Sequence, residues 1–147
     1  MAADIHRRRL QAQVASFVRA FGLHLPDTTP CGEPVGVSAA HALTELELHG
    51  PLSQQQLAGR LRLEKSSVSR LVDQLVRRGW VVRDQAPATR RSVALTLTEG
   101  GREAAERVAR ARADRFEGII ENIPQEEREE VFRALDRLID AAGERRK

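Results

Sequence analysis

The sequence has no tyrosine, one tryptophan, four phenylalanines, one methionine and one cysteine among its 147 residues. With aromatics at 3%, a core has to be closed by Leu, Val, Ile and Ala, which suits helices packed at short range. A single cysteine, Cys31, excludes an internal disulfide, and the chain has neither a CxxC pair nor zinc-finger spacing. No apolar run reaches the roughly 20 residues that a membrane-crossing helix needs. Residues 1–20 carry arginines without the apolar stretch of a signal peptide, so a cytoplasmic place and no membrane contact are expected. The sequence also lacks a phosphate-cradling glycine loop, an HExxH pair and a nucleophile elbow. An enzyme is therefore not expected, and neither is a cofactor.

What is present is charge and helical periodicity. Charged residues make up 31% and hydrophobic residues 41%, enough for one soluble domain or a compact subunit with two lobes. The net charge of +3 is unevenly spread: residues 51–100 hold nine Lys or Arg against four acids, a local +5, while the segments on either side each carry −1. A positive segment of this kind is what a polyanion-binding lobe needs.

Leu10, Val14, Phe17, Val18, Phe21 and Leu25 recur at spacings of three and four, which predicts an amphipathic helix over about residues 4–25. Residues 26–36, with three prolines and two glycines, read as a loop. A helix capped by Ser38 runs to His49 and is stopped by Gly50 and Pro51. Ser53 and Gln56 form a capping box, with Leu52 and Leu57 as its apolar staple, and start a short helix to about Leu61. Thr98 caps a long helix to about Asn122, with Ala104, Ala105, Val108, Ala109, Phe116, Ile119 and Ile120 as its buried side. A last helix follows Pro124, its inner face marked by Val131, Phe132, Leu135, Leu138, Ile139 and Ala142.

The stretch from Glu64 to Thr98 organises the rest. Val68, Leu71, Val72, Leu75 and Val76 form the inner face of a helix, leaving Ser66, Ser69, Arg70, Asp73, Gln74 and Arg77 outward. Gly79 is placed to end that helix in the left-handed conformation. The period then changes to two: Trp80–Val82 and Val93, Leu95 and Leu97 read as two strands joined by an arginine-bearing connection. A short helix, a turn at Arg62 and Leu63, a serine-lined helix and a basic-tipped hairpin make a winged helix-turn-helix, whose second helix enters the major groove of DNA. The expected fold is mainly α with a small two-stranded β wing and flanking dimerisation helices. Residues 1–37 form the first dimerisation helix and its loop, 38–98 the DNA-binding lobe and 99–147 the C-terminal dimerisation helices.

The runs SQQQLAGRLRL, SSVSRLVDQLVRRGWVVRD and RRSVALTLTEGG resemble, as an ordered set covering nearly the whole chain, the MarR family of bacterial transcription regulators. The resemblance implies a homodimer that binds a palindromic operator in double-stranded DNA and usually represses. Release would come from a small phenolic or lipophilic effector, from thiol oxidation, or in some members from metal. The family's wing tip usually reads Asp-x-Arg; here Thr89, Arg90 and Arg91 stand there, so the minor-groove arginine maps to Arg91 without the acid that often steadies it. Arg62 stands where the family commonly has glycine in the turn.

The DNA-binding residues expected are Gln54 and Lys65 on the phosphate backbone, Ser66, Ser67, Ser69, Arg70 and Arg77 on the recognition helix, and Arg90 and Arg91 at the wing tip. Asp73, an acid on that face, is expected to partner an arginine rather than read a base. Cys31 is the redox candidate, but no basic residue flanks it closely to lower its pKa. His41 is the candidate for effector binding. A metal site would need ligands beyond Cys31 and His41, and the four histidines (His6, His24, His41, His49) include none on the long helix; no metal is expected. A regulator responsive to oxidants or metal, and a winged-helix adaptor that binds proteins instead of DNA, are the alternatives.

Overall fold

The computed structural model describes residues 1–85 and 93–143. Its helices are α1 (Ala2–Phe21), α2 (Val37–His49), α3 (Gln54–Leu61), α4 (Lys65–Arg77), α5 (Glu99–Glu121) and α6 (Arg128–Gly143), with a 3-10 turn at Gln125–Glu127 before the last. The strands are β1 (Leu52–Ser53), β2 (Val81–Gln85) and β3 (Val93–Leu97). The chain forms two compact units, Met1–Arg112 and Ala113–Lys147.

The mainly helical fold with a β wing is as the sequence predicts, with one addition. The antiparallel sheet has three strands in the order β1-β3-β2, because Leu52, read from sequence only as a staple, also pairs with Leu95. β2 and β3 run in register from Val81 opposite Leu97 to Gln85 opposite Val93. Leu95 and Leu97 are buried, whereas Val93, expected inward, is exposed at the start of β3 and lies outside the buried core.

Boundaries moved where a backbone conformation outranked side-chain periodicity. α1 stops four residues before Leu25 because Gly22 takes the left-handed conformation and donates its N–H to the Val18 carbonyl. α2 begins one residue before Ser38, with Gly36 as its cap, so Ser38 lies inside the first turn and caps nothing. Trp80 precedes β2 instead of starting it. The Ser53–Gln56 capping box is present in both directions: the Gln56 N–H donates to Ser53 Oγ at 3.0 Å and the Ser53 N–H to Gln56 Oε1 at 2.9 Å.

The core of the first unit joins Leu43 and Leu46 of α2, Leu57 of α3, Val68, Val72 and Leu75 of α4, Leu95 of β3 and Ala104, Ala105 and Val108 of α5. Each fully buried Leu or Val contributes about 1.5–3 kcal/mol, so the lobe rests on aliphatic packing, as its poverty in aromatics requires. Burial along α5 ends at Val108: Ala109 and Phe116, expected inside, are exposed, and Ile119 and Ile120 are partly covered. α1 and α6 bury no residue at all.

Candidate nucleic-acid interface

Two turns built on the same hydrogen-bond pattern fix the recognition helix α4. At its start, α3 ends with the Leu63 N–H bonded to the Ala58 carbonyl and the Arg62 N–H to the Gly59 carbonyl, which puts Arg62 at φ 54° and ψ 41°. Arg62 thus occupies a left-handed position that glycine fills at no steric cost. Replacing Arg62 with Gly is expected to raise stability by up to about 1 kcal/mol, the relieved strain being partly offset by the freer unfolded chain. A urea midpoint that rises at unchanged slope would show this; a lower midpoint would mean that contacts of the arginine outweigh the strain.

At the other end, the Gly79 N–H bonds to the Val76 carbonyl at 2.9 Å and the Trp80 N–H to the Leu75 carbonyl at 3.0 Å, with Gly79 at φ 76°. This is the left-handed ending expected of Gly79. The Arg78 guanidinium lies 4.8 Å over the Trp80 ring, a cation–π contact that ties the end of α4 to the start of the wing.

Between these turns α4 buries Val68, Leu71, Val72 and Leu75, which turns the opposite side outward. Ser66, Arg70, Asp73 and Arg77 are exposed and follow one another at spacings of three and four; Lys65 is exposed, Ser67 and Ser69 are half-buried on the flanks, and Gln54 is half-buried at the start of α3. The cap residue Glu64 makes no side-chain bond to the helix and the first turn contains no acid. The first N–H groups of α4 are therefore not capped by that side chain, an arrangement that favours phosphate. Asp73 is paired with Arg83 of β2, as an acid on this face was expected to be. Sequence reasoning did not find Arg83, because the two residues lie ten apart across a helix and a strand and no spacing rule joins them. Arg90 and Arg91 lie outside the described residues.

Thr98 locks the wing to α5. Its Oγ1 donates to the Gly79 carbonyl at 2.6 Å and accepts the Gly101 N–H at 3.0 Å, while its own N–H donates to the Trp80 carbonyl at 3.0 Å. The cap predicted at Thr98 thus also ties together the end of α4, the wing and the long helix.

His41 is on the exposed side of α2, beside a cavity of about 240 Å³ that Glu45, Arg60 and Arg62 also line. Partial burial pushes the His41 pKa below its ordinary value, the nearby Arg112 charge pushes the same way, and Glu45 opposes them. Glu45 is 3.4 Å from both Arg60 and His49. Cys31 is half-buried in a turn held by bonds between Thr29 and Glu33. Among the described residues no three His, Cys, Asp or Glu side chains cluster as metal ligands, and no helix is long and apolar enough to cross a membrane.

A helix-turn-helix with an exposed hydroxyl- and guanidinium-bearing second helix, backed by a β-hairpin, defines a winged-helix protein of the DNA-binding type. The sequence profile of the MarR family matches residues 37–93, so the stretch from α2 into the wing is a MarR-family domain. It is 29% identical over 139 residues to a Thauera aromatica protein named as a regulator for the hcr operon, covering 94% of this chain and 80% of that protein. It is 31% identical over 87 residues to YkoM of Bacillus subtilis, named an uncharacterized HTH-type transcriptional regulator; that match spans 59% of this chain and 56% of YkoM. The fold is shared with FabT of Streptococcus pneumoniae, solved in complex with DNA, at a TM-score of 0.79 and 19% identity over 95% of this chain and 98% of FabT.

Proposed function

We propose that the protein is a cytoplasmic transcriptional repressor that binds a palindromic operator as a homodimer and is released by a small lipophilic or phenolic ligand. The observation that carries this reading is the outward line Ser66, Arg70, Asp73 and Arg77 on a helix whose opposite side is buried at Val68, Leu71, Val72 and Leu75 and partly buried at Val76, set in a segment with a net charge of +5. Arg70 reaches a base edge, Lys65, Ser66, Ser67, Ser69 and Arg77 hold phosphates, and Gln54 steadies the backbone from α3. Arg83 holds Asp73 so that the acid does not repel the duplex. Arg90 and Arg91 of the wing contact the minor groove or the phosphates, Arg91 being the minor-groove candidate.

Two copies joined through the apolar faces of their terminal helices present two recognition helices about 34 Å apart, one turn of B-DNA. The exposed Leu10, Val14 and Phe17 of α1 and the exposed Phe132, Leu135 and Ile139 of α6 support that assembly. In this assembly residues 38–98 are the DNA-binding lobe, flanked by dimerisation segments 1–37 and 99–147.

Sites selected from random duplexes, followed by titration at several salt concentrations, test the reading. Selection should return an inverted repeat, and log affinity should fall steeply and linearly with log salt. Arg70→Ala should lose about 1–3 kcal/mol of binding and relax the preference at one base position per half-site. A flat salt dependence, or equal affinity for every sequence, overturns specific DNA binding.

A further inference from the structure

α2 carries a repeat that the DNA-binding reading leaves unused: His41, Glu45 and His49 stand four residues apart, which puts all three on one side of the helix. Glu45 is the shared member. Its Oε2 is 3.4 Å from His49 Nε2 on the same helix and 3.4 Å from Arg60 Nη1 in the last turn of α3. Its charge also reaches His41, where burial and the Arg112 guanidinium oppose protonation and Glu45 favours it. Arg112 is fixed from α5 by donating to Thr44 Oγ1 at 3.1 Å. The charged groups around the two histidines are thus Glu45 on their own helix, Arg60 and Arg62 at the end of α3, and Arg112 on α5. His41, Glu45, Arg60 and Arg62 line one cavity of about 240 Å³, so the carboxylate borders open space and can turn without displacing the core.

One carboxylate therefore has several cations within reach, and pH decides how many of them are charged. Arginine keeps its charge throughout, whereas histidine gains its charge between about pH 8 and about pH 5. Beside neutral imidazoles, the carboxylate belongs to the guanidinium of Arg60. Once the imidazoles are charged, two partners on α2 compete with that one on α3, at the helical spacing where opposite charges pair. The Glu45–Arg60 pair spans α2 and α3, and Arg60 stands two residues before the left-handed Arg62 that turns the chain into α4.

We infer that Glu45 is a proton-controlled tie within the helix-turn-helix lobe: in neutral and alkaline solution it joins α2 to the end of α3 through Arg60, and on acidification it turns back to His41 and His49 and releases that end. The consequence for DNA rests on the repressor reading above. The end of α3 sets the start of α4, so the protonated form holds the operator less tightly.

Histidine proton NMR of the full chain follows the tie without DNA, its four imidazole signals assigned with His41→Gln and His49→Gln. Glu45→Gln should lower the proton affinity of His41 and His49 about threefold, the size a half-exposed pair supports, and leave His6 and His24 unchanged. Arg60→Met, which removes the competitor, should raise it at both by a similar factor, since linkage is reciprocal. In the Glu45→Gln background Arg60→Met should change neither histidine, because direct repulsion by Arg60 would persist there and competition would not. Operator affinity of the parent should fall about fivefold between about pH 8 and about pH 5.5, and Glu45→Gln should already show the lower affinity at the higher pH.

Histidine titrations that ignore Glu45→Gln, or that Arg60→Met moves equally with and without Glu45, overturn the tie. Affinities of the parent and of Glu45→Gln that change alike with pH overturn its link to DNA. A protein that binds no operator at any pH, while its histidines titrate as expected, keeps the tie and loses the repressor reading.

Discussion

Replacing Gly101 with alanine is expected to destabilise the protein by about 3 kcal/mol, a large share of the stability of a domain this size. A β-carbon at Gly101 would lie 2.0 Å from the Trp80 carbonyl oxygen, 2.9 Å from its carbon and 3.2 Å from Leu97 Cδ2. The first two are backbone atoms that cannot rotate away, and that carbonyl is already held by the Thr98 N–H. The start of α5 would have to lift off the wing, breaking the bonds that Thr98 makes to Gly79 and Gly101. Gly100 supplies the control, since a β-carbon there meets its nearest atoms at 3.8 Å. Gly100→Ala should be neutral or stabilising by up to about 1 kcal/mol, because alanine loses less freedom in a helix. Urea unfolding of the two variants at one protein concentration should therefore give midpoints displaced in opposite directions. A Gly101→Ala protein as stable as the parent would mean that the wing and α5 are not joined through this contact.

Gly101 also shows what the sequence can and cannot disclose. The motif LT-x-x-G is plain in Leu97, Thr98 and Gly101, and Thr98 was readable as a helix cap; that the glycine is required by the Trp80 carbonyl, 21 residues earlier, is a tertiary fact with no local signature. The same division holds through the interface. The inner face of α4 was legible because Val68, Leu71, Val72 and Leu75 keep the helical period and all prove buried. The left-handed turn at Arg62 was legible because a glycine was missing where one was expected. The Asp73–Arg83 pair was legible only in half, since the acid announced a need for an arginine and nothing local said which. A side-chain pattern misleads where the backbone decides: Leu25 extends the stripe of α1, but Gly22 ends the helix. Ser38 is a good cap by type, and Gly36 holds the position. The apolar stripe of α5 runs to Ile120, yet burial along it ends at Val108, because periodicity records that a face is apolar and not how far the surrounding structure covers it.

That uncovered surface carries the second large expectation. For the homodimer proposed above, Leu135→Arg combined with Ile139→Arg should give a monomer and lower operator affinity by at least about 100-fold, the factor lost when a second half-site no longer binds within the same complex. The two residues are one turn apart on α6 and are 46% and 57% exposed, with Phe132 beside them at 47%. A helix that buries none of its own residues should keep its secondary structure when two surface leucine-type side chains become arginines, so far-ultraviolet circular dichroism should hardly change. What changes is the cost of bringing four guanidinium groups of two copies into one apolar seam, several kcal/mol when charges of like sign are desolvated together. Sedimentation equilibrium gives the mass directly. The salt dependence of the remaining DNA binding should fall to about half its slope, because one recognition helix and one wing neutralise half as many phosphates. If the double variant still sediments as a dimer and holds the operator as the parent does, the C-terminal helix is not the seam, and the exposed Leu10, Val14 and Phe17 of α1 would have to support the assembly by themselves.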